Sequence, residues 1–136
     1  MASNRTINIK AVAFGVLTDE VGSLAVGSIL GIITGLILSA KGIQQNEIEK
    51  YLHGPFILIP GLVIGLGFTV LGGFVAGRVS NNYEIRHGGI VGLITIFFGL
   101  IFWKALPIWY IITSLICVVP CGMLGGRIAA AARQKN

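Results

Sequence analysis

The chain has 136 residues, of which 54% are hydrophobic and only 11% charged, against about 25% charged residues in soluble domains. That deficit excludes a water-soluble globule and fits a bilayer. The net charge of +5 would raise nucleic acid as a partner in a soluble chain. Here the basic residues stand at the ends of apolar segments, and no basic patch has interleaved aromatics, so nucleic acid is set aside.

Four segments reach the ~20 apolar residues that a spanning helix needs: Ala11 to Ala40, Phe56 to Val79, Gly88 to Trp103 and Ile108 to Ala132. The third is short and is lengthened through Ala105 and Leu106 if Lys104 snorkels to the interface. The expected architecture is all-α: one four-helix transmembrane domain over residues 1–136, built as two antiparallel hairpins with glycine-zipper packing. The first apolar run is far longer than the roughly 7–15 residues of a signal-peptide core, so it is expected to stay in the membrane.

The first span carries a small or acidic residue at every fourth position: Ala11, Gly15, Asp19, Ser23, Gly27, Gly31, Gly35 and Ser39. Small residues at this spacing let helix backbones meet inside lipid. An i+4 row drifts ~40° per step on a helix of 3.6 residues per turn, hence roughly 280° from Ala11 to Ser39. One straight partner cannot follow that row, so the span is expected to meet one neighbour in its lower half and another in its upper half.

The loop 41–55 holds Gln44, Gln45, Asn46, Glu47, Glu49 and Lys50 and reads as a polar turn or interfacial helix. Glu49 and His53 stand i,i+4 and can share a ligand, but a solvated loop face is the first reading. The second span repeats the small-residue spacing with Gly61, Gly65, Thr69, Gly73 and Gly77. Pro60 falls in its first turns, where a missing N–H costs little.

The third span has a weaker series, Gly88, Gly92, Thr95 and Gly99, preceded by His87, which reads as an interfacial loop residue with a proton relay as the sharper alternative. The fourth offers Gly122, Gly126 and Ala130, with Cys117, Cys121, Gly125 and Ala129 on the adjacent row. Pro120 in its middle is expected to kink it. Cys117 and Cys121 have no Cys or His neighbour in sequence, and zinc needs about four ligands. No metal or cofactor is expected, and nothing resembles a nucleophile motif or a phosphate loop.

Gly73 to Val79 and Gly122 to Ile128 share a glycine–three–glycine–arginine pattern at a constant offset of 49. Two related hairpins, or convergence on one packing solution, explain it equally. Arg5, Lys10, Arg78, Arg86, Arg127, Arg133 and Lys135 lie on one side of the spans, and Lys41, Lys50 and Lys104 on the other. Positive-inside then places both termini in the cytoplasm and the chain in the cytoplasmic membrane. Trp103, Trp109, Tyr110 and Tyr51 mark the outer boundary.

Leu71 to Arg78, a short polar turn, and His87-Gly88-Gly89-Ile90-Val91-Gly92-Leu93 resemble an uncharacterised family of small prokaryotic four-helix membrane proteins, with a GG-x-x-A-x-R … HG-x-x-x-G-L pattern. Val16 to Asp19 followed by Gly22-Ser23 is similar to their first helix. The resemblance implies four spans and no activity. Asp19-Glu20-Val21-Gly22-Ser23 is also similar to the acidic stretch in the first helix of small multidrug resistance exporters, whose later polar and aromatic residues are missing here.

Asp19 is the residue that stands out, because carboxylates inside a membrane are costly and often functional. If Lys41 marks the outer edge, a ~30 Å core reaches back about 20 residues and leaves Asp19 and Glu20 at the inner interface, with Ala11 to Leu17 on the membrane surface. If the whole run is centred, Asp19 lies a turn inside, level with Arg78, Arg127 and His87. The first expectation is therefore an ion pair of Asp19 with Arg78 or Arg127, and the second a proton or cation site. Three functions follow in order: a non-enzymatic structural or partner-binding membrane protein that pairs with itself or another membrane protein; a small oligomeric transporter or channel using Asp19; and a membrane enzyme, which needs a polar cavity holding two of Asp19, Glu20 and His87.

Overall fold

A computed structural model describes residues 7–101 and 106–135. The elements in chain order are α1 (Ile9–Ala40), α2 (Gln45–Leu52), α3 (Pro55–Ser80), α4 (Glu84–Ile101) and α5 (Ile108–Gln134). α1, α3, α4 and α5 are long and apolar enough to cross a bilayer, the mark of a multi-pass membrane protein. Trp103, Lys104 and Ala105, invoked for the end of the third span, fall outside the described residues.

Local chemistry sets the helix ends. Asn8 caps α1, its side chain accepting the Ala11 N–H. α1 closes in a Schellman motif, with Gly42 at φ 74 and Ile43 N–H donating to the Leu38 carbonyl, the positive φ that glycine tolerates. Pro55 opens α3 after Gly54, a position where its missing N–H is not needed. The short α2 carries Glu47 in its first turn and Lys50 in its last, each matched to the helix dipole. α3 and α4 are joined by a three-residue turn in which Asn81 and Tyr83 take positive φ. α4 thus starts at Glu84, four residues before the expected span. His87 belongs to its first turns rather than to a loop, because the polar opening of the helix escapes a hydropathy reading.

The start of α1, the end of α3, the start of α4 and the end of α5 share one end of the bundle, here the terminal end. Arg133 pairs with Glu84 and donates to the Asn81 carbonyl at 2.6 Å and to its Oδ1 at 2.8 Å. Asn8 N–H donates to His87 Nε2 at 2.9 Å. These bonds tie α1 and α5 to the turn between α3 and α4.

Above this end the helices meet at a waist of glycines. A Cβ on Gly73 would collide with the Gly122 carbonyl, and one on Gly77 would come within 3.3 Å of Gly126 Cα. Both contacts keep the offset of 49, so the two matched motifs face each other in register and α3 runs parallel to α5. Gly88 also abuts the Gly122 carbonyl, and Gly92 stands where a Cβ would lie 2.9 Å from that of Val118. On the other side a Cβ on Gly15 would lie 2.6 Å from the Gly72 carbonyl and 2.7 Å from Val91. Val12, Ala76 and Val91 form the buried core beside this crossing.

The other half of the bundle differs from expectation. A Cβ on Gly27, Gly31, Gly35, Gly61, Gly65 or Gly99 would meet nothing within 4 Å, and the buried residues of α1 stop at Asp19. Among the described residues, the upper half of α1 has no second neighbour seated on its glycine row. The drift explains why: three steps beyond Gly15, at Gly27, the row has turned about 120° away from α3.

Candidate functional site

The glycine waist decides what Asp19 meets. At Gly15, α1 lies against Gly72 of α3 and Val91 of α4. One turn further along α1 is Asp19. Three residues back along the antiparallel α3 is Thr69, and one turn further along α4 is Thr95. The three side chains converge. Asp19 is 2% exposed. Its Oδ2 accepts from Thr95 Oγ1 at 2.7 Å, while Oδ1 lies 3.3 Å from Thr69 Oγ1 and 3.4 Å from Ser23 Oγ. Thr69 Oγ1 also stands 3.1 Å from the Gly65 carbonyl.

The ion pair expected of Asp19 is not formed. Arg78 and Arg127 are exposed, and the Arg78 guanidinium stacks over Phe74 at 5.9 Å from the ring centroid. Asp19 lies ten residues into α1, about 15 Å along the helix axis, and Thr95 eleven residues into α4. Arg78 stands in the last turn of α3, and Arg127 follows Gly126, which packs against the Glu84 carbonyl at the start of α4, so both lie at the terminal end, away from the carboxylate. Ala11, Val12 and Gly15 are buried inside the bundle, so the start of α1 is packed against the other spans.

His87 is 2% exposed. Its Nε2 accepts from Asn8 N–H and its Nδ1 lies 3.0 Å from the Tyr83 carbonyl, which assigns the proton to Nδ1 and a neutral ring. It stands eight residues before Thr95 on α4, about 12 Å along the axis. It fastens the helix ends and is not a neighbour of Asp19. Glu20, next to Asp19, has a buried Oε1 without a hydrogen-bond partner among the described residues.

A cavity of about 560 Å³ opens above Asp19, where the four spans splay apart. Its polar lining is Glu20, Ser23, Thr69, Thr95, Tyr110 and Ser114; the rest is leucine, isoleucine, phenylalanine, valine and glycine. All three hydroxyl partners of Asp19 line it, and among the described residues no basic side chain does. The volume lies in the 300–1,000 Å³ range of small-molecule sites.

Ser23, Gly15, Gly73, Gly77, Gly122 and Gly126 all stand at helix crossings or at the carboxylate. Gly72, Gly88, Gly92 and Gly125 join them at the waist. The sequence singled out Asp19 and Glu20 but treated Thr69 and Thr95 only as small packing residues. The available signal was that the small-residue rows of the first three spans each had one hydroxyl near mid-span: Ser23, Thr69 and Thr95. Glu84 and Arg133 were also missed as partners; they open and close helices distant in sequence. In the 41–55 loop, His53 Nδ1 lies 2.9 Å from the Glu49 carbonyl rather than from its carboxylate. Cys117 and Cys121 are free thiols, and no cluster of three His, Cys, Asp or Glu side chains occurs among the described residues.

No family model, curated protein or solved structure matches the chain, so the site is argued from its own geometry.

Proposed function

We propose that the chain is a small, non-enzymatic membrane transporter in which Asp19 carries the coupling proton or cation and the cavity above it receives the cargo. The observation that carries this reading is a carboxylate buried in the bundle about halfway along α3 and α4, without a basic partner among the described residues, under a cavity lined by its own hydrogen-bond donors. An uncompensated carboxylate in lipid is costly, and a bound proton or cation removes the cost. The cavity walls suit an apolar body, and its carboxylate at Glu20 suits a positively charged or hydrogen-donating head.

Proteoliposomes with an imposed pH gradient, given a fluorescent hydrophobic amine, test the proposal. The wild-type chain is expected to accelerate uptake over protein-free vesicles, and Asp19→Asn to abolish the gain while the protein keeps its helical circular dichroism. Uptake by Asp19→Asn equal to wild type overturns it. One observation favours a second reading, in which Asp19 is a clasp: it accepts hydrogen bonds from α3 and α4. An Asp19→Asn protein that unfolds, with a wild type that moves nothing, is its signature.

The terminal end is assigned to the cytoplasm of a prokaryotic cell, on the support of the seven-to-three distribution of Lys and Arg. With Cys117 and Cys121 replaced by serine, Asn46→Cys is expected to react with an impermeant maleimide from outside the cell. Asn82→Cys should react only after permeabilisation; the reverse pattern inverts the topology.

Partners besides the lipid bilayer are assigned to a second copy of the chain, on the outer half of α1. Its support is that Gly27, Gly31 and Gly35 repeat the spacing by which α3 and α5 already cross, with nothing seated on them. Gly31→Leu is expected to leave the monomer folded and to reduce cross-linked dimer in liposomes. Unchanged cross-linking removes that surface from consideration.

A further inference from the structure

We propose that Asp19, Ser23, Thr69 and Thr95 form a binding site for a dehydrated sodium ion. The inference rests on the reading of Asp19 as an exchangeable-ion site and names the ion.

The donor set is made only of oxygen: two from the carboxylate and three from hydroxyls, supplied by three helices. Oxygen ligands without nitrogen or sulfur select hard cations. The spacings separate into two kinds. Thr95 Oγ1 to Oδ2 at 2.7 Å is an ordinary O–H···O bond that anchors the carboxylate. Thr69 and Ser23 stand 3.3 and 3.4 Å from Oδ1, beyond the roughly 2.5–3.0 Å of such bonds. Adjacent oxygens around a hard cation held at about 2.4 Å are themselves about 3.4 Å apart. The looser hydroxyls therefore have the separation of ligands sharing an ion.

Hydrogen counting points the same way. Thr69 has one hydroxyl hydrogen and two acceptors within reach, the Gly65 carbonyl at 3.1 Å and Asp19 Oδ1 at 3.3 Å. A helical threonine commonly gives its hydrogen to the carbonyl four residues back. The hydroxyl then turns a lone pair toward Oδ1, and two lone pairs face each other unless a cation or a carboxyl hydrogen lies between them.

Charge selects the valence. One carboxylate and one monovalent cation sum to zero, whereas a divalent ion leaves a net positive charge in an apolar surrounding, which is strongly disfavoured. Potassium needs its ligands farther apart than these hydroxyls stand. The path exists as well: Ser23, Thr69 and Thr95 line the cavity.

The test uses the full chain in lipid nanodiscs, with binding of radioactive sodium measured at constant ionic strength against potassium or choline. Saturable sodium binding is expected, displaced weakly by potassium. Asp19→Asn should abolish it, and Thr69→Val and Ser23→Ala should each weaken it at least tenfold. Thr69→Val keeps the side-chain shape and the helix hydrogen bonds, so the proposal remains testable if Asp19→Asn does not fold. Absence of sodium binding by a folded wild-type protein, or undiminished binding in Thr69→Val, overturns it. In the first case infrared spectra distinguish the causes. A carboxyl band that titrates with pH and is lost in Asp19→Asn leaves a proton site at Asp19 and removes only sodium. No titrating band removes both readings.

Discussion

Gly122→Ala is expected to destabilise the protein by about 3 kcal/mol or more, at or beyond the usual upper range for overpacking a core. Gly122 is the point where three helices touch through their backbones. An added methyl would strike the Gly88 carbonyl, while the Gly122 carbonyl already sits where Gly73 and Gly88 would carry a Cβ. Backbone cannot swing aside as the end of a flexible side chain does, so α4 must move away from α5. That movement also opens the contacts of Gly92 and Gly126. The matched control is Gly31→Ala, where the new methyl meets nothing within 4 Å. It is expected to be neutral or to gain up to about 1 kcal/mol, the helix propensity difference between the two residues. Equilibrium unfolding in mixed micelles measures both. Equal effects at the two positions would show that glycine serves the chain in some other way than backbone contact.

For Asp19→Asn the expected result is a split between function and stability. Uptake should fall more than a hundredfold, about 2.7 kcal/mol, since the amide binds neither a proton nor a cation at this position. Stability should stay level or rise. The substitution removes a buried charge, whose desolvation opposes folding. It keeps one oxygen for Thr95 and offers an N–H to the hydroxyls of Thr69 and Ser23. If Asp19 served only as a clasp, the two interhelical bonds it accepts, at about 0.6 kcal/mol each in membrane proteins, would be weakened without any compensating gain. A melting temperature that falls in Asp19→Asn, with uptake already absent in wild type, is the outcome that favours the clasp.

Much of the fold was legible before any coordinates. Hydropathy located four spans to within a few residues, because burial in lipid is a property of a continuous stretch and leaves its signature locally. The error at α4 arose where that signature fails: Glu84, Arg86 and His87 are polar, yet they form the first turn of a helix held by the Tyr83 carbonyl. The repeated motif at Gly73 and Gly122 was visible, but its meaning was not. Only the parallel placement of α3 and α5 sets one copy against the other.

The site divides in the same way. That Asp19 lies in an apolar run is a fact of one segment, and the sequence alone makes it costly and conspicuous. Which groups relieve that cost depends on helix crossings between residues 50 and 76 positions apart. Charge complementarity suggested Arg78 or Arg127. The glycine contacts of Gly15 with Gly72 and of Gly88 with Gly122 instead set the register that brings Thr69 and Thr95 to Asp19 and leaves the arginines toward the terminal end of the bundle. Composition and periodicity, set by the solvent each segment must face, thus determined a four-span chain with one anomalous carboxylate. Tertiary structure, through backbone contacts that no single helix contains, decided that the carboxylate is ringed by hydroxyls beneath a cavity.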